Sequence, residues 1–286
     1  MGQINSSLII FTSLDSLVLD AENNGYESVL SKLEWLKARH IPVIPVTSKT
    51  REEVEIVRRR MNLTDPFIVE GGSGVYIPLD YNQFELPQGE TVGNYRLIQL
   101  GCSYVMARAG LKAIAQSLGR PLKGFGDWSA EQLNALTGLS AADAHRAKAR
   151  EFTELFKTPK NIPIDKLKQA VHEMGFEVVV SDRFSHLIGH EAGVGRAVKH
   201  LTQHYQSALP VGQHLTTVGL GDSLSDLALL ENVDIPIIVS GLKGEDSDLS
   251  KHDWPVAASP GPQGWAIAID KICQDEIFMA RFGAKS

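Results

Sequence analysis

Cysteine is scarce in this sequence of 286 residues, and long apolar runs are missing. Two cysteines, Cys102 and Cys273, are too few for a disulfide framework, which excludes the small disulfide-stapled secreted class. No apolar run approaches the roughly 20 residues that a bilayer-spanning helix requires. We therefore expect a cytoplasmic protein with no membrane partner.

Basic tracts are lacking as well. The net charge is −6, and the chain has no long basic tract. Such a balance argues against nucleic acid as the partner, because nucleic-acid binding needs concentrated positive charge. A hydrophobic content of 43% is that of an ordinary globular chain, long enough for one large domain or two modest ones.

The most informative stretch is Gly221–Asp226. Its two carboxylates, Asp222 and Asp226, stand four residues apart and directly follow the apolar run Leu215–Leu220. In α/β folds, the point where a buried strand gives way to a helix is where metal and phosphate sites are built. The alternative is a plain helix cap, with Asp222 or Ser223 satisfying the first N–H groups of the next helix. The six residues alone leave these two interpretations about even.

The segment Leu8–Asp20 is a second apolar strand that ends in polar residues, as expected at the centre of a parallel sheet. Together with Gly221–Asp226 it resembles the haloacid dehalogenase (HAD) superfamily of phosphatases. The first motif of that superfamily is a hydrophobic strand followed by Asp-x-Asp-Gly-Thr, and its last is Gly-Asp-x-x-x-Asp. More closely, the chain resembles the mannosyl-3-phosphoglycerate phosphatases. Further supporting stretches, in the family's order, are Pro45–Thr50, Phe67–Glu70, Leu136–Ser140, Ala147–Glu151, Arg183–Phe184 and Pro260–Gly264.

The resemblance implies an α/β fold, with a HAD-like doubly wound parallel sheet as the core and an inserted α+β cap. The core domain is expected at residues 1–85 and 190–286, and the cap domain at 86–189. Within the cap we predict a strand at Tyr95–Leu100 and a helix at Ala141–Phe152. In the core, Gly71–Gly74 predicts a hairpin turn, and an amphipathic helix is expected at Trp265–Phe282.

The same comparison exposes two departures from the family's catalytic motifs. Ser13 stands where the family carries the aspartate that attacks phosphorus and also binds magnesium. Val194 stands where the family carries a lysine. Asp15, at the position of the general acid and base, is retained, and the resemblance implies that Asp15, Asp222 and Asp226 hold Mg²⁺ as the cofactor.

These departures are expected to be costly. A serine hydroxyl is a weak nucleophile without an activating base, and it adds no negative charge to hold a hard cation. Loss of a single group of this kind typically costs on the order of 10² to 10⁴ in rate. Neither Asp20, beyond the strand end, nor Asp15 in a shifted register is expected to replace the nucleophile.

Substrate-binding candidates follow the strand Ile41–Val46. In the family, the hydroxyl at Thr47 would hold a phosphate oxygen, with Ser48 and Lys49 near the site. The alternative is that Thr47–Thr50 only cap the next helix. These residues fall at the same predicted sheet edge as Ser13, which favours a site.

In the predicted cap, Arg150, Arg183 and His186 are candidates for binding an anion. Arginine can bind a carboxylate or phosphate through two parallel hydrogen bonds. We place Arg183 and His186 at a strand end. The cationic run around Arg150 fits a solvated helix face equally well. Other histidines, at 190, 200, 204 and 214, are scattered rather than spaced as metal ligands.

Two functions are compatible with these residues. One is an active Mg²⁺-dependent phosphomonoesterase that acts on a phosphorylated sugar acid such as mannosyl-3-phosphoglycerate. The other, which Ser13 and Val194 favour, is a phosphatase-like protein with lost or strongly reduced hydrolase activity. Such a protein would still bind a small phosphorylated sugar acid or an unknown protein partner.

Overall fold

The structure is a computed structural model, and it describes residues 7–14, 26–181, 183–241 and 249–274. Its larger sheet contains the strands β1 (Leu8–Ser13), β2 (Val43–Val46), β3 (Phe67–Val69), β4 (Gly74–Pro78), β5 (Glu90–Val92), β6 (Tyr95–Gln99), β10 (Thr216–Gly221) and β11 (Ile235–Ile238). A smaller sheet contains β7 (Glu154–Lys157), β8 (Phe176–Val179) and β9 (Phe184–Gly189).

Nine α-helices lie in the described ranges. They are α1 (Tyr26–Ala38), α2 (Arg51–Arg60), α3 (Tyr104–Ser117), α4 (Ala130–Thr137), α5 (Ala141–Lys148), α6 (Ile164–Glu173), α7 (Val194–Ala208), α8 (Leu227–Leu230) and α9 (Gly261–Gln274). None of these helices has both the length and the apolar character needed to cross a bilayer. The predicted α/β class is confirmed.

The larger sheet runs in the order β11-β10-β1-β2-β3-β4-β6-β5. Its first five strands are parallel, and β4, β6 and β5 continue it in antiparallel pairs. Strand β1 lies between β10 and β2, with Phe11 opposite Gly219 on one side and Ile44 on the other. The carboxyl ends of three neighbouring parallel strands therefore meet at one edge.

Alternation along β1 shows why both faces of this sheet are covered. Ile9 and Phe11 point into a core formed with α7, whereas Ile10 points into a core formed with α1 and α9. All three side chains are fully buried, as expected for a central strand with helices on both faces. The doubly wound arrangement follows from this two-sided burial.

The smaller sheet has the antiparallel order β7-β9-β8. Helices α3 and α6 share one apolar core with it, and α4 and α5 share another with residues of the turn at Phe125–Asp127. The two segments that connect it to the larger sheet touch, since a Cβ at Gly189 would lie 2.8 Å from the backbone nitrogen of Cys102. Only glycine permits that approach.

Several predicted elements change in the structure. The strand predicted at Tyr95–Leu100 ends at Gln99 and pairs with β4 in the larger sheet, although we counted it with the cap. The helix predicted at Ala141–Phe152 ends at Lys148, because the chain beyond it turns towards Glu70. The last helix spans Gly261–Gln274, and the remainder of its predicted range lies outside the described residues. How the chain divides into domains stays a prediction.

The hairpin predicted at Gly71–Gly74 is confirmed. Strands β3 and β4 pair antiparallel, with Val69 opposite Gly74. The connection is a single 3₁₀ turn in which Glu70, Gly71 and Gly72 all have positive φ angles. Left-handed backbone is the conformation that glycine adopts at little cost, so the Gly-Gly pair fits this tight turn.

Candidate active site

The candidate site lies where β10, β1 and β2 end side by side. Ser13 is the last residue of β1, stands opposite Val46 of β2, and is 5% exposed. Gly221 ends β10, so Asp222 emerges at the same edge. The structure therefore brings Ser13, Asp222 and the loop after β2 together, as the sequence predicted.

The side chain of Asp226 hydrogen-bonds to the backbone of the turn that precedes α8. Its Oδ2 accepts hydrogen bonds from the backbone nitrogens of Asp222 at 3.0 Å and Ser223 at 3.3 Å. Burial raises the pKa of Asp226 to about 8, with a hydrogen bond to the Asp222 carboxyl as the next cause. A hydrogen bond with Ser13 acts in the opposite direction and favours the charged form. The two carboxyl groups and the serine hydroxyl thus form one small cluster.

At this turn the capping alternative is realised with Ser223 as the N-cap and Asp226 as the acceptor, and the metal or phosphate site stays a prediction. Asp226 satisfies backbone N–H groups at the start of the 3₁₀ turn Leu224–Asp226, which is a capping role. Asp222 takes no part in those bonds through its side chain, and it faces the loop after β11, where a Cβ at Gly241 would be 3.7 Å from its Oδ2. Capping and clustering at the sheet edge therefore coexist.

The described residues supply only part of the predicted set of magnesium ligands. Mg²⁺ prefers an octahedral set of hard oxygen ligands and is usually held by one or two carboxylates, with waters and phosphate completing the set. Here one candidate, Asp226, already has its Oδ2 bonded to two backbone N–H groups, and Ser13 supplies a neutral hydroxyl. Asp15, the third predicted ligand and the acid/base candidate, lies outside the described residues.

In the loop after β2, one predicted residue caps the next helix and another stays at the sheet edge. Thr50 caps α2: its hydroxyl accepts from the backbone nitrogen of Glu53, and its own backbone nitrogen donates to the Glu53 carboxylate. Thr47 has a different part, because its Oγ1 accepts from the backbone nitrogen of Lys49 at 3.1 Å. Thr47 is buried and Ser48 is exposed. Capping thus belongs to Thr50, and Thr47 stays at the sheet edge.

Arg150 joins the segment between α5 and β7 to this loop. Its Nη2 donates to the carbonyl oxygen of Ser48 at 2.9 Å, and its Nε donates to Thr153 Oγ1 at 2.8 Å. The same Nε is 3.5 Å from the carboxylate of Glu70. At 6% exposure Arg150 is buried, so the interpretation as a solvated helix face is wrong for this residue.

His186 lies beside these cations. It occupies the middle of β9, opposite Leu155 of β7, and not a strand end as predicted. Burial lowers the pKa of His186 to about 3, and the charges of Arg150 and Lys49 contribute in the same direction. His186 is therefore neutral and close to both cations. Lys49, Arg150 and His186, all predicted as substrate-binding, are thus brought together.

Arg183 and Val194 lie in other surroundings. Arg183 precedes β9, is exposed, and donates to the carbonyl oxygen of Leu136 at the end of α4. Val194 begins α7 and packs against the apolar core on that face of the sheet. A Cβ at Gly72 would lie 2.4 Å from the Val194 nitrogen, so the glycine turn after β3 presses against the start of this helix. Val194 behaves as a packing residue.

Glu70 is a residue whose role the sequence did not predict. Its buried carboxylate accepts hydrogen bonds from the backbone nitrogens of residues 151, 152 and 153 and from the Thr153 hydroxyl, at 2.6 to 3.2 Å. Glu151 extends the network, accepting from Tyr76 Oη at 2.8 Å and from Arg51 Nε at 2.9 Å. The available signal was a charged residue at the end of a buried strand, directly before Gly-Gly.

Comparison with known proteins supplies the family. No family model matches the chain. A glucosyl-3-phosphoglycerate/mannosyl-3-phosphoglycerate phosphatase of Persephonella marina is 34% identical over 268 residues, which cover 94% of this chain and 98% of the relative. The chain belongs to the mannosyl-3-phosphoglycerate phosphatase family. A mannosyl-3-phosphoglycerate phosphatase of Pyrococcus horikoshii, another family member, is 32% identical over 82% of this chain and 91% of its own length.

Solved structures agree on the fold of the family. A haloacid dehalogenase-like hydrolase from Bacillus subtilis superposes with a TM-score of 0.59 at 14% identity, covering 94% of this chain and all of that one. A sugar phosphatase of HAD subclass IIB gives a TM-score of 0.57 at 14% identity over 96% of this chain and 98% of its own. At such low identity these likenesses establish the HAD-like fold alone.

Proposed function

We propose that this member of the family binds a phosphorylated sugar acid but has lost most or all of its hydrolase activity. The observation that carries the proposal is Ser13, a neutral hydroxyl at the end of the central strand β1, hydrogen-bonded to Asp226. A serine becomes a competent nucleophile when an adjacent base removes its proton. The carboxyl group beside it is kept largely protonated by burial and cannot serve well as that base.

Val194 supports the same conclusion. Phosphoryl transfer is accelerated mainly by positioning the reactants and by neutralising charge on the phosphate oxygens. A valine packed into the core at the start of α7 offers no cation for that purpose. With both substitutions, the two groups that would attack and stabilise the phosphate are absent from the family's motif positions.

The binding half of the proposal is supported by the cations that remain. Lys49 and Arg150 both act on His186 electrostatically, and Arg150, whose charge is paired with Glu70, holds the loop after β2 through the Ser48 carbonyl oxygen. Thr47 and Ser48 add hydroxyls on the same loop. Relatives in this family are named for phosphatases of mannosyl-3-phosphoglycerate, and an anion of this class would suit these groups. Magnesium would then bind weakly without the phosphate.

A rate assay with matched variants tests the proposal. Hydrolysis of mannosyl-3-phosphoglycerate and glucosyl-3-phosphoglycerate is measured with Mg²⁺ for the natural chain, for Ser13→Asp/Val194→Lys and for the control Ser13→Asn/Val194→Met. We expect little turnover by the natural chain and the control, and a gain on the order of 10² or more for the first double variant. Ordinary enzyme rates in the natural chain would overturn the proposal.

A second candidate is an active Mg²⁺-dependent phosphomonoesterase. It is favoured by the Asp222 and Asp226 carboxyl groups, which the fold still gathers at the end of β10. A third candidate function is binding of an unknown protein partner through the surface of the chain. Calorimetry distinguishes it from the first two. Titration with the sugar-acid phosphate should give one site in a silent binder, with no product, and no heat of binding in a protein that acts only through its surface.

A further inference from the structure

A cluster of two histidines and one glutamate lies on the smaller sheet, away from the edge described above. His172 is in the last turn of α6, Glu177 is on β8, and His190 follows β9 directly. One ligand atom from each residue lies within 4.8 Å of the other two, and within the described residues no other group of three such side chains meets this condition. His190 was among the histidines expected to be scattered, and His172 was not among the sequence candidates, so the fold creates this arrangement.

The backbone explains why the three side chains meet. Gly175, with a φ of +77°, turns the chain sharply between α6 and β8, which brings His172 and Glu177 to the same side. In the β8–β9 pair, Glu177 stands opposite Ile188, so His190 is its diagonal neighbour on the same face of the sheet. Rigid elements therefore supply all three groups.

The distances suit a divalent transition metal. The Nδ1 atoms of His172 and His190 lie 3.5 and 2.9 Å from Glu177 Oε1. In a tetrahedral zinc site with ligand bonds of ~2.1 Å, neighbouring ligand atoms are about 3.4 Å apart. The His172–Glu177 distance already matches, the His190–Glu177 distance is about half an ångström short of it, and the two histidines lie within 4.8 Å of each other. Side chains that are 44% to 70% exposed can make up these differences. Two imidazoles and a carboxylate are ligands that Zn²⁺ accepts, with water in the fourth position.

We propose that His172, Glu177 and His190 form a Zn²⁺ site that fastens the returning chain to the smaller sheet. His190 begins the segment that leads back to α7 and the larger sheet, and Arg196 of α7 donates to the His190 carbonyl oxygen at 3.1 Å. A metal on His190 would tie this connection to both β8 and α6. The consequence is a restrained movement of the smaller sheet relative to the site at the strand ends. This inference is independent of whether the chain hydrolyses a phosphate ester.

Zinc titration of the tag-free, metal-stripped full chain tests the site. Calorimetry is expected to give one tight Zn²⁺ per chain, and Glu177→Gln or His190→Gln should weaken it at least about tenfold. The matched control is His200→Gln/His204→Gln. Those histidines lie one turn apart on α7 with their Nε2 atoms 3.4 Å apart, and they lack a carboxylate partner in the described contacts. The control variant should keep the tight site.

Hydrogen exchange supplies a second readout. Zn²⁺ should slow amide exchange at residues 172–177 and 189–193 in the natural chain and in the control, and EDTA should reverse the effect. In Glu177→Gln the same amides should not respond, while the melting temperature without metal stays that of the natural chain because the side chain is exposed. Absence of tight zinc binding, or its loss in the His200/His204 variant with retention in Glu177→Gln, would overturn the proposal.

Discussion

Charge is arranged differently at two places in the molecule. One is the edge where β10, β1 and β2 end, and the other, the crossing between the two sheets, is the buried contact of Glu70 and Arg150 with the segment before β7. At the edge, Ser13 ends β1 with a neutral hydroxyl that is hydrogen-bonded to Asp226. At the crossing, Glu70 and Arg150 are buried and paired with each other, with backbone N–H groups and with a carbonyl oxygen. The contact between the sheets thus holds paired buried charges, whereas the last residue of β1 carries a neutral hydroxyl. Losing a reactive group costs no stability, whereas unpairing a buried charge does.

The largest effect is expected at the crossing. Replacing Glu70 by glutamine puts an amide nitrogen among N–H donors and leaves Arg150 without its buried partner, so Glu70→Gln should lower the unfolding free energy by about 3–5 kcal/mol. Urea denaturation measures the change. The control is Glu191→Gln, whose ion pair with Arg196 is exposed, and it should stay within about 0.5 kcal/mol of the natural chain. Equal effects of the two changes would contradict the comparison.

An aspartate at position 13 should lower the free energy of unfolding, and Mg²⁺ should reverse that loss. Ser13→Asp adds a carboxyl group to the cluster of Asp222 and the buried Asp226, and ionising it there should lower stability by about 2 kcal/mol without metal. Mg²⁺ should recover most of that loss, as seen in melting temperature. Ser13→Asn, whose side chain is neutral and as large as that of the aspartate variant, should not respond to Mg²⁺. A response in both variants would place the ion elsewhere.

Acid should lower the stability of the folded chain through His186, which lies beside Arg150. Its pKa is lowered to about 3 in the folded chain, from 6.5, so between these pH values the unfolded chain binds more protons than the folded one. Stability contributed by neutral His186 is therefore present above pH 6.5 and lost as the pH falls towards 3, at up to about 1.4 kcal/mol per pH unit. His186→Asn should flatten this part of the stability curve. His214→Asn, at an exposed histidine, is the control, and a slope unchanged in both would refute the assignment.

The smallest effect concerns Thr50, which follows the sheet edge after β2 and also contacts α5. Its hydroxyl caps α2 and donates to the carbonyl oxygen of Arg146 in α5 at 2.8 Å. Thr50→Val keeps the shape and removes both bonds, which should lower the unfolding free energy by about 1–2 kcal/mol. Thr50→Ser retains the hydroxyl and should lose only a few tenths. If serine and valine cost the same, the hydroxyl has no energetic role.

Much of the fold was predictable because its signals are local. Apolar strands followed by polar residues marked the ends of β1 and β10, and parallel strands bring such ends to one edge, so the proximity of Ser13 and Asp222 followed. The end of α5 was not predictable. The segment Ala141–Phe152 has no breaker, yet the helix stops at Lys148 because three N–H groups beyond it bind Glu70, about 80 residues earlier in the chain.

The chain's sequence alone decided which chemical groups are available: the hydroxyl at Ser13, the apolar side chain at Val194 and the carboxyl groups of Asp222 and Asp226. The tertiary structure decided what those groups contact, including the binding of Asp226 to its own turn, the burial of Arg150 against Glu70, and the meeting of His172 with His190. Residue types and short-range spacing are written in the chain itself. Contacts between distant residues depend on how helices and sheets pack, and packing is a property of the whole fold.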